Sequence, residues 1–191
     1  MKNYYAKSNP LETIQEHTNK LIKNLLIIKD MYPQISINWN LLKDAIIYHD
    51  LGKINLKFQN RILTGKKDKS EIAHNFLSLC FLNINELLKK YSEEEIKILA
   101  NSIAYHHDRG EYDPDCLDNE IELLRCEIKN FKYDKINLNQ INKISRKYFS
   151  NNRIYEDNVF FYDYIKIKGL LNRLDYAASA NIDVEIKNNF L

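Results

Sequence analysis

The segment YHDLGKINLKFQ, residues 48–59, places a histidine and an aspartate at the end of an apolar helical pattern. Leu42 and Ile46 precede His49 at intervals of four and three residues, so the histidine falls on the apolar face of the predicted helix. A histidine and an aspartate are costly to bury unless another group pairs with them. The segment therefore predicts a buried site at which some other group binds His49 and Asp50.

Apolar residues recur at intervals of three and four along most of the chain, which is typical of amphipathic helices. We therefore predict an all-α fold, and the low content of four glycines and three prolines disfavours barrels and sandwiches. Helices are predicted over residues 11–31, 39–50, 70–90 and 157–180. Ser70 and Glu71 suit the start of the third helix. A capping box of Ser92 with Glu95 predicts one more helix. Residues 111–155 are more polar and less periodic, and tracts such as 134–145 fit either helix or loop.

The length and composition of the chain set limits on its class. We expect a single domain over residues 1–191, either as a stand-alone subunit or as the N-terminal part of a longer protein. The 28 basic and 26 acidic residues give a net charge of +2, so any nucleic-acid binding must be local. Cys80, Cys116 and Cys126 form no CxxC motif and suit reduced, packed thiols. Because we find no secretory signal and no apolar run that could cross a bilayer, we expect a cytoplasmic protein without a membrane partner.

All five histidines lie on or beside the apolar face of a predicted helix. They are His17, His49, His74, His106 and His107. Taken singly, each fits an ordinary core histidine better than a ligand. Together with Asp50 and Asp175, however, they form a set of imidazoles and carboxylates too large for one metal ion, so we predict two divalent ions. Asp50 is the expected bridge, because its two oxygens can bind ions about 3.5 to 4 Å apart.

Five stretches of the chain carry a resemblance to a known family. They are His17, HDLGK (49–53), AHNFLS (73–78), AYHHDRG (104–110) and LLNRLDYAASA (170–180). In this order they resemble the HD nuclease domain of the type I CRISPR-associated nuclease-helicase, over about residues 12–180. The resemblance implies an HD-domain helical bundle with a dinuclear metal site in its core. It also implies one ion on His17, His49, Asp50 and Asp175, and the other on Asp50, His74, His106 and His107.

The same resemblance implies a function, which is the metal-dependent hydrolysis of phosphodiester bonds in single-stranded DNA during CRISPR interference, an antiviral defence. Asp50 would be catalytic, and Lys53 would contact the scissile phosphate or a metal-bound water; an exposed lysine after a helix end is the alternative. Five imidazole ligands favour manganese, iron, cobalt or nickel over magnesium. The expected partners are single-stranded DNA, a helicase domain or subunit, and the CRISPR RNA-guided surveillance complex. The chain has no P-loop motif, so a helicase motor would lie on another chain or beyond residue 191.

A basic segment over residues 53–69 is the predicted DNA path. Its candidate DNA-binding residues are Lys57, Arg61, Lys66 and Lys67, with Phe58 available to stack on a base. The alternative is a solvated helix and loop with Phe58 in the core.

The sequence also fits two other functions. The first is an HD-family phosphohydrolase that acts on nucleotides or cyclic dinucleotides, although the residues after His107 lack a Gly-Tyr-Pro tripeptide. The second is a catalytically silent, metal-stabilised helical module that binds a partner. The number of candidate ligands disfavours this module, because a structural site needs only about four.

Overall fold

A short β-hairpin precedes a set of helices in this computed structural model, which describes residues 2–107, 117–138, 140–150, 154 and 159–185. The strands are β1 (Tyr5–Ser8) and β2 (Leu11–Thr13). The helices are α1 (Ile14–Met31), α2 (Trp39–Tyr48), α3 (Leu56–Thr64), α4 (His74–Ser78), α5 (Ile84–Leu87), α6 (Glu93–Ala104), α7 (Leu117–Ile128) and α8 (Phe161–Ala180). Two 3₁₀ helices span Leu51–Ile54 and Leu79–Phe81. The described residues are thus mostly helical, as the all-α prediction requires.

The hairpin corrects the predicted start of the first helix. Residues 11–13 form β2, which pairs antiparallel with β1 and sets Lys7 opposite Glu12. Helix α1 begins only at Ile14, because Thr13 and Glu16 form a capping box there. The Thr13 hydroxyl accepts from the Glu16 N–H at 3.1 Å, and the Glu16 carboxylate accepts from the Thr13 N–H at 2.8 Å. Apolar spacing does not reveal a strand of three residues that runs directly into a helix.

The predicted third helix over 70–90 is wrong as one continuous element. It is divided into α4, the 3₁₀ helix Leu79–Phe81 and α5, and Ser70 and Glu71 lie before its first turn. Asn83 explains the second break, since its side-chain oxygen accepts from the Glu86 N–H at 3.2 Å and starts a new helix. Helix α4 has only five residues, and His74 is the first of them.

The other helix predictions agree more closely with the structure. The Ser92–Glu95 capping box is present at the start of α6. Helix α2 ends at Tyr48, two residues before the predicted end, and α8 begins at Phe161 rather than at residue 157. Helix α7 lies in the segment 111–155 that was predicted to be less periodic, and it buries Leu117, Ile121 and Leu124 at intervals of four and three. No helix in the described residues is long and apolar enough to cross a membrane.

The buried apolar side chains of α1, α2, α6 and α8 meet in one core. It includes Leu21, Leu42, Leu99 and Leu171, none of which has any solvent exposure. Cys80 is free and buried, as the packing prediction requires. For Cys126 that prediction is wrong, because its free thiol belongs to an exposed residue of α7, and Cys116 lies outside the described residues.

Gly52 allows the turn after Asp50 to pack directly on α4. A Cβ atom at this position would lie 2.0 Å from the His74 carbonyl oxygen and 2.7 Å from the Ser78 nitrogen. The Gly52 N–H also donates to Ser78 Oγ at 2.9 Å. Any side chain at residue 52 would therefore separate α4 from the segment that carries His49 and Asp50.

We expect Gly52→Ala to destabilise the protein by about 2 to 3 kcal/mol, since both elements would have to shift. Urea unfolding measured by circular dichroism would show this as a lower midpoint. Gly169→Ala is the matched control, because a Cβ at this exposed position of α8 meets nothing within 4 Å and alanine favours a helix by about 1 kcal/mol. Equal midpoints for the Gly52→Ala variant and the wild type would contradict the packing argument.

Candidate metal centre

The structure brings all seven predicted metal ligands into two neighbouring groups of side chains. Within each group, one potential ligand atom from every residue lies within 4.8 Å of the others. We call the first group the α1/α8 group; it consists of His17, His49 and Asp175. We call the second the α4/α6 group; it consists of Asp50, His74, His106 and His107. Residues that are far apart in the sequence therefore converge on one place in the core.

Asp50 lies between the two groups. Its Oδ2 is 3.7 Å from His17 Nε2 and 3.5 Å from His49 Nε2. Its Oδ1 is 3.3 Å from His74 Nε2. The two carboxylate oxygens thus face imidazoles of different groups, which is the arrangement a bridging ligand needs.

The ends of two helices orient the rings of His49 and His106. His49 Nδ1 is 2.8 Å from the carbonyl oxygen of Ile46, and His106 Nδ1 is 2.6 Å from that of Ile103. Each carbonyl lies in the last turn of its helix, where the helix itself offers no backbone N–H to donate to it. Donation from Nδ1 to these carbonyls leaves the Nε2 lone pairs directed at the centre.

Several buried atoms of the centre have no hydrogen-bond partner within the described part of the chain. They are His49 Nε2, His74 Nε2, His106 Nε2 and Asp50 Oδ1. A buried polar atom without a partner costs about 1 to 3 kcal/mol. Metal coordination would satisfy all four atoms at once, and nitrogen with carboxylate oxygen is a donor set of divalent transition metals. The clusters are therefore able to bind a metal ion.

His17 and Asp175 of the α1/α8 group are in direct contact. His17 Nε2 lies 2.9 Å from Asp175 Oδ1, which is the ordinary length of an N–H···O hydrogen bond. Two ligand atoms that are each about 2.1 Å from one ion, at an angle between a right angle and a tetrahedral one, are about 3 to 3.4 Å apart. This pair is therefore already spaced almost as two ligands of a common ion would be.

Burial and charge keep the candidate ligands of the α4/α6 group deprotonated. Burial alone would raise the pKa of Asp50, but His49, Lys53 and His74 outweigh it and hold that pKa well below its usual value. Burial lowers the pKa of His74 to about 4, and it also lowers the pKa of His106. Neutral imidazole and ionised carboxylate are the forms that bind metal ions.

Asp175 and His107 show the same two effects. Burial would raise the pKa of Asp175, but its hydrogen bond with His17 outweighs burial and brings that pKa below its ordinary value. The pKa of His107 is lowered chiefly by burial. All of these shifts favour the metal-binding form at neutral pH.

Lys53 is buried beside the centre. Its Nζ donates to Asp50 Oδ2 at 2.7 Å and lies 5.7 Å from the centre of the Phe58 ring. The residue is only 9% exposed, so the alternative of an exposed lysine after a helix end is wrong. Its ammonium group stabilises the Asp50 carboxylate in the absence of any other cation.

Three further residues, none of them a predicted ligand, support the centre. Ser78 Oγ donates to the His49 carbonyl at 2.6 Å and accepts from the Gly52 N–H, so it holds the chain on both sides of Asp50. The Asn75 side chain donates to the Ala104 carbonyl at the end of α6. Glu12 lies 3.2 Å from His17 Nδ1. Asn75 and Ser78 lie within the AHNFLS stretch (73–78), whereas no pattern in the sequence marks Glu12.

The predicted DNA-binding residues are of two kinds in the structure, since two form ion pairs within the protein and two are exposed. Lys57 forms an ion pair with Glu120, and Arg61 forms one with Glu71 at 2.9 Å. Phe58 is 4% exposed, so it is a core side chain and is not available to stack on a base. Two other candidates are exposed, and these are Lys66 and Lys67.

Comparisons of this chain with protein-family models, with curated proteins and with solved structures gave no match. The resemblance to HD nucleases therefore depends on the order and type of the residues quoted above. The geometry of the two groups is an independent observation, because it does not use that resemblance.

We expect the metal-free protein to lose stability as the pH falls from 7 to 5. Histidines with a lowered pKa in the folded state take up protons first in the unfolded chain, below about pH 6.5, so acid favours unfolding. Each such histidine contributes a slope of up to about 1.4 kcal/mol per pH unit. Urea unfolding with a chelator at constant ionic strength measures this dependence. His74→Asn should reduce the slope, and a flat profile in the unchanged protein would contradict the burial effect.

Proposed function

We propose that this protein is a metal-dependent nuclease that hydrolyses phosphodiester bonds of single-stranded DNA at a centre of two divalent ions. The observation that carries the proposal is the position of Asp50, whose two oxygens face imidazoles of different groups at 3.3 to 3.7 Å. One ion would be held by the α1/α8 group with Asp50, and the other by the α4/α6 group. Five nitrogen ligands favour manganese, iron, cobalt or nickel.

When bound, two such ions supply Lewis acidity that activates water and stabilises charge on a phosphate. The side chains of the protein set the conditions for this chemistry. Two divalent ions would carry four positive charges, of which Asp50 and Asp175 offset two. The centre would therefore keep a net positive charge that attracts a phosphodiester. The carbonyls that accept from His49 and His106 hold both rings in place, which limits reorganisation during the reaction.

Lys53 has a specific place in this proposal. Its ammonium group now binds the Asp50 oxygen that also faces the α1/α8 group. An ion on that oxygen would repel the ammonium group, which would then be free to donate to a phosphate oxygen of the substrate. Lys53 would therefore stabilise the phosphate rather than the ligand during catalysis.

Single-stranded DNA is proposed as the substrate on two grounds. The first is the resemblance to HD nucleases of CRISPR interference, which also suggests a helicase domain or subunit and a CRISPR RNA-guided surveillance complex as partners in the cytoplasm. The second is the exposed run of Lys66, Lys67 and Lys69 that follows α3. The internal ion pairs of Lys57 and Arg61 make these two residues weaker candidates for DNA contact.

A phosphohydrolase that acts on nucleotides or cyclic dinucleotides would use the same centre. A substrate panel separates the two functions, because a nuclease cleaves circular single-stranded DNA and leaves nucleotides intact. The silent metal-stabilised module is less well supported, since two groups of ligands exceed the four that one closed structural ion requires.

Asp50→Asn should abolish hydrolysis of circular single-stranded DNA in the presence of Mn²⁺. The amide keeps the size of the side chain but lacks the charge and the second good acceptor that a bridge between ions needs. We expect the bound metal, measured by mass spectrometry after desalting, to fall from two ions per chain to one or none.

Asp44→Asn is the matched control, because Asp44 is also a buried carboxylate and lies within α2. Its Oδ2 accepts from the Tyr91 hydroxyl at 2.9 Å, and it belongs to neither group of candidate ligands. This variant should keep full activity and metal content. Activity that survives in Asp50→Asn would contradict the bridging role.

Lys53→Met should lower kcat by about 100-fold and leave the metal content unchanged. Methionine keeps the apolar stem of the side chain next to Phe58 but removes the ammonium group. Lys90→Met serves as the control, since Lys90 lies 3.7 Å from the remote carboxylate of Asp44. A Lys53→Met variant with wild-type kcat would rule out the phosphate contact.

A further inference from the structure

The carboxylate of Glu12 lies behind the His17 ring, on the side away from the metal centre. Glu12 Oε1 is 3.2 Å from His17 Nδ1, and both side chains are almost fully buried. The other ring nitrogen, Nε2, faces Asp175 and Asp50. A neutral imidazole has one N–H and one lone pair, so a proton held on Nδ1 leaves the Nε2 lone pair directed at the centre.

Two lysines bind the second oxygen of Glu12. Lys7 Nζ is 2.8 Å and Lys20 Nζ is 2.9 Å from Oε2. Because both ammonium groups occupy Oε2, Oε1 is left to accept from His17. Lys7 also donates to the carbonyl of Ser179 at 2.9 Å, which ties the hairpin to α8 one turn after Asp175.

His17 differs in this respect from two other histidines of the centre. His49 and His106 direct Nδ1 at neutral backbone carbonyls, whereas His17 directs it at an ionised carboxylate. A charged acceptor forms a stronger hydrogen bond and makes the opposite nitrogen a better metal ligand. Glu12 would thus increase the electron-donating ability of one ligand in the α1/α8 group.

We propose that Glu12 is a positioning residue, which holds the proton of His17 on Nδ1 and so raises the affinity of the α1/α8 group for a divalent cation. This inference rests on the metal centre of the proposed function. It gives the N-terminal hairpin a role in the centre, because β2 carries Glu12 and β1 carries Lys7.

Glu12→Gln is the informative substitution, since the amide has the same size but two different ends. Lys7 and Lys20 would attract the amide oxygen, so the NH₂ group would face His17 and donate to Nδ1. The proton of a neutral His17 would then lie on Nε2, which faces Asp175, and it would block metal binding there. With diamagnetic Zn²⁺ bound, which would occupy the Nε2 lone pair, the ¹H–¹⁵N NMR correlation of His17 Nδ1 should be present in the wild type at about pH 8 and absent in Glu12→Gln.

The affinity for Mn²⁺, measured by chelator competition, should fall about 10- to 100-fold at one of two sites in Glu12→Gln. Adding Lys7→Met and Lys20→Met to this variant should restore the Nδ1–H correlation and part of the affinity, because the amide oxygen can then turn towards His17. Glu127→Gln is the control, since Glu127 is a half-buried carboxylate of α7 that accepts from Tyr4 and Lys2. This control should bind Mn²⁺ like the wild type.

An unchanged Nδ1–H correlation and unchanged Mn²⁺ affinity in Glu12→Gln would overturn the positioning role. A loss of affinity that the two lysine substitutions fail to restore would also count against it, as a sign of general damage to the fold. A wild-type protein that binds no Mn²⁺ at all would instead overturn the proposed function. The positioning role would then fall with it, and the two failures are distinguishable because only the first leaves Mn²⁺ binding in the wild type.

Discussion

The buried carboxylate of Asp50 is the constraint on which the rest of this structure depends. The residue is 1% exposed, and it shares the interior with Asp175 and the imidazoles around it. An ionised carboxylate in such a place needs cationic or hydrogen-bonding partners. Within the described residues Lys53 binds one oxygen of Asp50, and the other oxygen has no hydrogen-bond partner. A buried site with two carboxylates, one ammonium group and a carboxylate oxygen without a hydrogen-bond partner is suited to metal ions.

Local backbone features hold the candidate ligands around this carboxylate. The ends of α2 and α6 orient His49 and His106 through free carbonyls, so two ligands are fixed by the points at which their helices stop. Gly52 lets α4 approach closely enough for His74 to face Asp50. The strand that precedes α1 brings Glu12 to the back of the His17 ring. The break of helices into short elements therefore serves the centre as much as the long helices do.

The sequence predicted the helical class and the convergence of the seven side chains, because the histidines recur on or beside the apolar faces of the predicted helices. The structure places most of them at or just beyond helix ends, and His74 on a helix of only five residues. The prediction from sequence failed where short-range contacts decide the structure, as in the hairpin before Ile14 and the breaks around α4 and α5. It also missed Glu12, since residues 12 and 17 would point to different faces of the continuous helix predicted there. In the actual strand and cap, the two side chains meet. The partly buried basic residues of α3 gave the weakest predictions, because their internal ion pairs leave no pattern in the sequence.

Anomalous diffraction from crystals grown with Mn²⁺ would show whether two divalent ions share Asp50. We expect two manganese peaks about 3.5 to 4 Å apart, one beside Nε2 of His17 and His49 and the other beside Nε2 of His74 and His106. One oxygen of Asp50 should contact each ion. A single peak, or peaks away from these imidazoles, would contradict the account.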